Sequence, residues 1–408
     1  MSRLEELIEE LCPNGVEYKT LGEMGDFYSG LTGKSKKDFT NGNSKFITYM
    51  NVYKNPALSL ETTETVNIGA SEKQNAVLYG DVLFTGSSET PDECGISSVL
   101  TQRTNEKLYL NSFCMGYRFF DGCLFLPDFL KHLFRSSEIR AQIGKTASGV
   151  TRFNVSKDKM RKVIIPVPPL PVQREIVRIL DNFTELTAKL TAELTAREKQ
   201  YDYYKNFIVE NSKSKSNVVK LGDIASFSQG IQIEPQKQYA TMKEGYIRFL
   251  RIVDFVNDNE PPRYIEMPDK KYTKQENELI MIRYGANAAG KVFLNHTGAI
   301  ANNIFKINIT RKDVNIKYLR HYLSQKYVYE YLNSAGGKST MPAVNFKMVS
   351  KIDIYLPSIS EQQRIVSILD RFDSLCNDIT SGLPAEIAAR QKQYEYYRDK
   401  LLTFKAIS

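Results

Sequence analysis

The chain writes one long segment twice, and any fold it adopts must accommodate both copies. Gln173-Arg-Glu-Ile-Val-Arg-Ile-Leu-Asp-Asn-Phe183 runs on to Lys199-Gln-Tyr-Asp-Tyr-Tyr204, and Gln362-Gln-Arg-Ile-Val-Ser-Ile-Leu-Asp-Arg-Phe372 runs on to Lys392-Gln-Tyr-Glu-Tyr-Tyr397. A period of about 190 residues is far longer than a solenoid repeat, so the chain reads as a duplicated unit of domain plus helix. Two units imply two tasks of one kind.

The duplication extends upstream of the helices. Lys19-Thr-Leu-Gly-Glu-Met-Gly-Asp-Phe-Tyr-Ser-Gly30 opens the first unit and Lys220-Leu-Gly-Asp-Ile-Ala-Ser-Phe-Ser-Gln-Gly230 the second. Phe46-Ile-Thr-Tyr-Met-Asn-Val52 and Tyr246-Ile-Arg-Phe-Leu-Arg-Ile252 lie at the same offset of 200 and alternate as half-buried strands do. The offset then falls to about 189, where Leu78–Gly86 and Leu279–Gly285 correspond only loosely. Agreement returns at Phe129-Leu-Lys-His-Leu133 and Tyr318-Leu-Arg-His-Tyr322, each a predicted helix leading to a glycine loop at Gly149 or Gly337. A short apolar strand and a proline segment (Pro166–Pro171; Leu356–Ser360) follow each loop, and proline sets a hard start for a helix. In the second copy Ser358 and Glu361 have the spacing of a capping box. Frames that repeat while their contents differ suit two readers of different targets.

The helices carry a coiled-coil seam. Alternating steps of four and three from Ile176 reach Leu180, Phe183, Thr187, Leu190, Leu194, Arg197, Tyr201, Tyr204 and Ile208, and eight of these ten positions are apolar or aromatic. The second series is Ile365, Leu369, Phe372, Cys376, Ile379, Leu383, Ile387, Arg390, Tyr394, Tyr397 and Leu401. Its extra four-residue step from Leu383 to Ile387 reads as a stutter that keeps the seam on one face, with Gly382 and Pro384 marking a local break. A helix over Val172–Glu210 would be about 58 Å long, whereas the second globular part would be only about 37 Å across. Entered through the polar linker Asn211–Asn217, that part sits near the far end of the first helix, so the second helix runs back antiparallel to it. The tyrosines on the seam are assigned to packing rather than to base stacking.

Charge and composition narrow the partners. A net charge of +8 and a pI near 8.9 suggest a polyanion such as nucleic acid. With 408 residues, 42% hydrophobic and 25% charged, the chain has room for two or three soluble domains. The acidic start (Glu5, Glu6, Glu9, Glu10) is wrong for a secretory signal, and there is no apolar run of 18 residues, which predicts a cytoplasmic protein without a membrane partner. Cys12, Cys94, Cys114, Cys123 and Cys376 are scattered without a Cys-x-x-Cys pair and read as free thiols, with no zinc site.

No catalytic constellation is legible. Gly285-Ala-Asn-Ala-Ala-Gly-Lys-Val292 has the glycine spacing of a phosphate loop but ends in Val where a magnesium-binding hydroxyl is required. Glu260-Pro-Pro-Arg263 shares only its prolines with an amino-methyltransferase motif, and no glycine loop for an adenosyl cofactor accompanies it. Pro91-Asp92 and Pro268-Asp269 lack the downstream Glu-x-Lys or Asp-x-Lys of a nuclease. His132 and His321 recur at matched helical places and read as structural hydrogen-bonding groups. The reading is thus of a chain without catalytic residues, metal ligands or cofactor. What remains is mixed basic and polar loops, of a composition that suits phosphate and base-edge contacts. They hold Lys34, Lys36 and Lys37; Lys145, Ser148, Arg152 and Asn154; Lys338, Thr340 and Asn345; and, in the second unit, Arg248, Arg251, Arg283 and Lys291.

Two variable regions alternating with two helices, each entered through Pro-x-x-x-x-Gln-x-x-Ile (Pro168 with Gln173; Pro357 with Gln362) and left through Gln-Tyr-x-Tyr-Tyr, resemble the DNA-specificity subunits of type I restriction-modification systems. The resemblance covers essentially the whole chain. It implies an α+β fold with two mixed target-recognition domains, residues 1–167 and 212–356, separated by two long antiparallel coiled-coil helices, residues 168–211 and 357–408. It further implies double-stranded DNA as ligand, each domain reading half of a split site in the major groove, and docking of two methyltransferase subunits, with restriction and translocase subunits joining through the complex. Adenine methylation and cleavage would belong to those partners. A coiled-coil scaffold joining two protein partners without DNA contact is the alternative, and a self-contained methyltransferase a third, excluded if the isolated chain binds no methyl donor.

Overall fold

The computed structural model describes residues 3–62, 64–213, 217–256, 260–285, 288–335, 343–378 and 380–407, without the side chains of 208–213 and 334–335. The chain divides into two compact units, Met1–Leu190 with Glu386–Ser408, and Thr191–Ala385. The seam residue Ile379 and the loop residues Gly337, Lys338 and Thr340 lie outside the described residues.

In the first unit an antiparallel four-stranded sheet runs in the order Gly25–Ser29, Cys114–Phe119, Val82–Thr85, Ser97–Val99. A second sheet orders Thr65–Val66, Ser44–Ile47, Leu108–Leu110 and Ala76–Val77 around one parallel pair, Ser44–Ile47 with Leu108–Leu110. The second unit repeats both. Its antiparallel sheet orders Ala225–Gln229, Ile304–Ile309, Leu279–Ile282 and Val292–Phe293, and its mixed sheet orders Arg263–Glu266, Tyr246–Leu250, Gly298–Ile300 and Thr273–Lys274, again with a central parallel pair. The duplication read from the sequence is thus a duplication of sheet topology.

The backbone corrects the register of that duplication. Asn111 N–H donates to the Ile47 carbonyl and Ala301 N–H to the Leu250 carbonyl, so Ile47 corresponds to Leu250 at an offset of 203 rather than 200. The strand expected over residues 46–52 ends at Ile47, because Thr48 caps a helix over Tyr49–Lys54 by accepting from Asn51 N–H at 3.2 Å. In the second unit a helix turn, Val253–Val256, likewise follows Tyr246–Leu250.

The first long helix spans Leu170–Lys213, 44 residues, so it extends beyond the Val172–Glu210 of the spacing argument and takes in the start of the expected linker. The return is two helices, Ile359–Asn377 and Leu383–Leu401, rather than one helix with a stutter. The interruption has a local cause. Asp378 Oδ1 accepts from the N–H of Thr380 at 2.7 Å and of Ser381 at 3.2 Å, bonds that pull the chain out of the helix. Gly382 closes the turn where a Cβ would meet the Ser374 carbonyl oxygen at 2.6 Å. Of the capping box read at Ser358, its hydroxyl accepting from Glu361 N–H is present at 3.4 Å, while the Glu361 carboxylate pairs with Arg364.

Seam residues meet within each unit. In the first, Val172, Ile176 and Leu180 are buried with Tyr394 and Leu402 in the main core, and Phe183 stacks on Tyr397 with ring centroids 5.3 Å apart. In the second, Tyr201 and Tyr204 stack on Phe372 at 6.0 and 5.7 Å, while Arg197 and Glu198 lie close enough to Cys376 to act on its thiol. Moving back along the long helix therefore moves forward along its partner, which makes that pairing antiparallel. Ile365, Leu369 and Leu383 are buried, and Leu190, Leu194 and Ile387 are half-buried.

Candidate nucleic-acid interface

A glutamine at each helix entry seats the domains on their helices. Gln173 is fully buried; its Oε1 accepts from Leu126 N–H at 2.9 Å and its Nε2 donates to the carbonyls of Leu124 and Pro168 at 3.1 and 2.8 Å. Gln362 repeats all three bonds with Asn315 N–H, Asp313 and Pro357 at 2.7, 2.9 and 2.8 Å. Three fixed bonds to one buried amide leave little freedom between domain and helix entry.

In the first unit a hairpin presents the residues around Gly149. Ala147–Ser148 pairs with Phe153–Val155, which pairs with Ser87–Ser88. Gly149 has φ +154°, and a Cβ there would meet the Arg152 carbonyl oxygen at 2.0 Å, so the tip demands glycine. Val150 at the tip is 92% exposed. Ser148, Arg152 and Asn154 are exposed on this hairpin, and Lys145 is exposed at the C-terminal cap of the helix Ser137–Gly144 just before it. The Arg152 guanidinium donates to Ser87 Oγ at 3.0 Å and lies 5.7 Å from the Phe113 ring centroid.

Beside the hairpin a cleft of about 540 Å³ is lined by Tyr49, Met50, Tyr53, Glu93, Phe113 and Arg152 among others. Phe113 is 57% and Met50 48% exposed. Tyr53 Oη donates to Glu93 at 2.8 Å, and hydrogen bonds from Tyr53, Thr90 and Ser88 hold that carboxyl below its ordinary range. A guanidinium fork next to exposed apolar side chains can pair with a guanine edge and touch a thymine methyl. Apart from Arg152, these lining residues carry no sequence signal: Met50 lies in a segment that alternates like a strand, and Phe113 has no motif around it.

The other basic candidates are distributed differently. Lys36 and Lys37 are exposed on a turn, Lys36–Phe39, fixed by Ser35 and Asp38. Lys34 faces inward: its Nζ meets Glu72 at 2.5 Å and the Asn67 carbonyl at 2.6 Å, and its side chain is 8% exposed. In the second unit Arg248 and Arg251 converge on the buried Asp254 at 3.3 and 3.2 Å, and Arg251 also reaches Glu260 at 3.1 Å. Arg283 is half-buried, its guanidinium 5.0 Å from the Tyr284 ring centroid. Asn345 caps the helix Phe346–Ser350 by accepting from Met348 N–H at 3.0 Å. Lys291 is exposed at a cleft of about 530 Å³ that also holds Lys205 and Lys326 over Val292, Phe293 and Leu323. Burial holds the Lys205 ammonium below its ordinary range.

Among the described residues no three His, Cys, Asp or Glu side chains are grouped to hold a metal ion, and no helix is long and apolar enough to cross a membrane. A family profile described as the type I restriction modification DNA specificity domain matches residues 13–197 and again 213–389. The chain belongs to this family. It carries the specificity domain twice, and the matches take in both sheet-bearing regions and the helix following each.

Among relatives of this family, the chain is 34% identical over 267 residues to the EcoR124I/EcoR124II type I restriction enzyme specificity subunit of Escherichia coli, covering 61% of this chain and 65% of that one. The chain thus spans just under two thirds of that relative. It is 34% identical over 276 residues to a putative type I specificity subunit of Haemophilus influenzae, covering 63% of this chain and 68% of that one. The fold is similar to that of a specificity subunit from M. genitalium, with a TM-score of 0.55 at 13% identity over 95% of this chain and 96% of the other. A chain from a study of type I complex assembly and conformational transition matches with a TM-score of 0.60 at 19% identity, covering 96% and 98%.

Proposed function

We propose that the chain is the non-catalytic DNA-specificity subunit of a type I restriction-modification complex. Residues 1–167 and 212–356 are its target-recognition domains, each reading one half of a bipartite site in double-stranded DNA through the major groove. Helices within 168–211 and 357–408 fix the spacing and dock two methyltransferase subunits, and restriction and translocase subunits join through the complex. The chain brings no cofactor of its own, and it works in the cytoplasm with the DNA.

The observation that carries this reading is the paired topology: two units with the same two sheets and the same glutamine seat, differing in the loops above them. A seat that recurs in both units beneath loops that differ suits the reading of two unlike sequences. In the first unit the reading surface is the hairpin with Ser148, Arg152 and Asn154 and the adjoining Phe113 and Met50, with Lys36, Lys37 and Lys145 on phosphates. In the second, Arg248, Arg251, Arg283, Lys291, Lys338, Thr340 and Asn345 are the residues proposed to face DNA.

The test is retention of DNA by the chain with its methyltransferase subunits across a salt series. Phosphate-dominated binding weakens steeply with salt, so retention of random-sequence DNA at low salt and its loss at high salt is the expected result. Failure to retain DNA at any salt would support instead a scaffold joining two proteins.

A further inference from the structure

The two matched histidines are held by partners drawn crosswise from the two repeats. His132, on the helix Pro127–Leu133, and His321, on the helix Ile316–Leu323, are 1% and 3% exposed. His132 Nε2 lies 2.7 Å from Asp181 Oδ1, and His321 Nε2 lies 2.7 Å from Asp370 Oδ1. Asp181 and Asp370 occupy the same place in the repeated segment, each following its own domain in the chain. The tyrosines are exchanged. Tyr394, from the second repeat, brings its hydroxyl to 2.9 Å from His132 Nδ1, whereas its first-repeat counterpart Tyr201 stands 3.4 Å from His321 Nδ1.

The chemistry fixes the direction of each bond. An ionised carboxylate only accepts, so Nε2 carries the proton and Nδ1 is left to accept the tyrosine O–H. Lys131 supports the first set from 2.9 Å of Asp181, and Lys317 the second from 2.9 Å of Asp370. A leucine at either position would bury comparable area, but apolar contact is non-directional, whereas hydrogen bonds to both ring nitrogens favour one orientation as well as one distance. Each histidine therefore ties one domain helix to two different spacer helices in one orientation.

We infer that His132 with Asp181 and Tyr394, and His321 with Asp370 and Tyr201, are positioning residues that set how sharply the chain selects the gap between its half-sites. The inference rests on the DNA-reading role proposed above. A domain free to rock on its spacer would still read its own bases but would accept neighbouring gaps.

The full chain is assembled with its methyltransferase subunits and offered DNA carrying the half-sites found methylated in the host genome, at the native gap and at one base pair more or less. Wild type is expected to methylate the native gap alone. His132→Ala and Tyr394→Phe should raise relative methylation at the altered gaps at least about tenfold, a change of about 1.4 kcal/mol in discrimination, with the half-site bases unchanged. His132→Gln, whose amide Nε2 can still donate to Asp181, should restore most of the selectivity. Tyr394→Phe removes one oxygen and keeps the buried ring, so it reports even if His132→Ala folds poorly. Lower thermal stability with unchanged gap preference in Tyr394→Phe and Tyr201→Phe would overturn the inference and leave a purely structural bond. A wild-type complex that methylates no bipartite site would instead overturn the DNA-reading role beneath it.

Discussion

Gln362 Oε1 accepts the backbone N–H of Asn315 at 2.7 Å, at the point where the second helix enters its domain. Asn315 itself caps the domain helix, its Oδ1 accepting from Lys317 and Tyr318 N–H at 2.9 and 3.2 Å. One buried amide thereby joins a helix entry to a helix cap. Gln362→Ala leaves Asn315 N–H and the carbonyls of Asp313 and Pro357 without their partner and should cost about 2–3 kcal/mol, read as a lowered denaturation midpoint. Gln173→Ala should behave alike. A midpoint unchanged in both would contradict the seating role.

Burial holds His132 and His321 below the ordinary imidazole value, so both are neutral in the fold and the unfolded chain takes up protons first as the pH falls. Their contribution is complete above the unfolded value of about 6.5 and is lost progressively below it. Burial opposes ionisation of Asp181 and Asp370, but hydrogen bonds from His132 and Lys131, and from Lys317 and His321, outweigh it and hold both carboxyls low. Their contribution persists until the pH falls below about 4. Between about pH 7.5 and about pH 5.5 the melting temperature of wild type should therefore fall more than that of a His132→Gln, His321→Gln double variant. Equal falls would assign the loss to other groups.

Arg152 and Lys34 separate exposed from committed cations. Arg152→Ala should weaken DNA retention and reduce the salt slope by about one if the guanidinium meets a phosphate, or relax one base position if it meets a guanine. Lys34→Ala, which leaves Glu72 with only Gln74 and the Gly69 N–H as partners and frees the Asn67 carbonyl, should lower stability and leave the salt slope unchanged. The reverse pattern would move the interface away from the hairpin.

Phe372 is half-buried between Tyr201 and Tyr204. Phe372→Ala should cost about 2 kcal/mol, below the range for a fully buried ring, whereas Phe372→Leu should cost less than half of that. Similar losses in both would mean the stacking geometry, rather than apolar volume, carries the contact.

The frame was legible because it rests on side chains that must recur wherever the same bond recurs: Gln173 and Gln362, Asp181 and Asp370, His132 and His321, Tyr201 and Tyr394. The seam was legible from heptad spacing on both sides of the break, from Ile365 through Cys376 and again at Leu383 and Tyr394. The break at Asp378 was only half legible, since Gly382 and Pro384 marked it while the turn comes from an aspartate folding back on Thr380 and Ser381. The loops were the least legible. Lys34 meets a carboxylate 38 residues away, and Asn345 serves a helix cap that reads like any polar loop residue. Thr48 caps the helix Tyr49–Lys54 where the alternation over residues 46–52 suggests a continuing strand, and a single threonine ahead of an alternating run does not announce a cap.

Domain exchange separates the two readers. Residues 18–160 are replaced by the first recognition region of another family member, and the adenines methylated by the assembled complex are mapped by sequencing. One half of the bipartite site should change while the other half stays intact. A change in both halves, or in neither, would contradict an account in which two separate domains each read their own half.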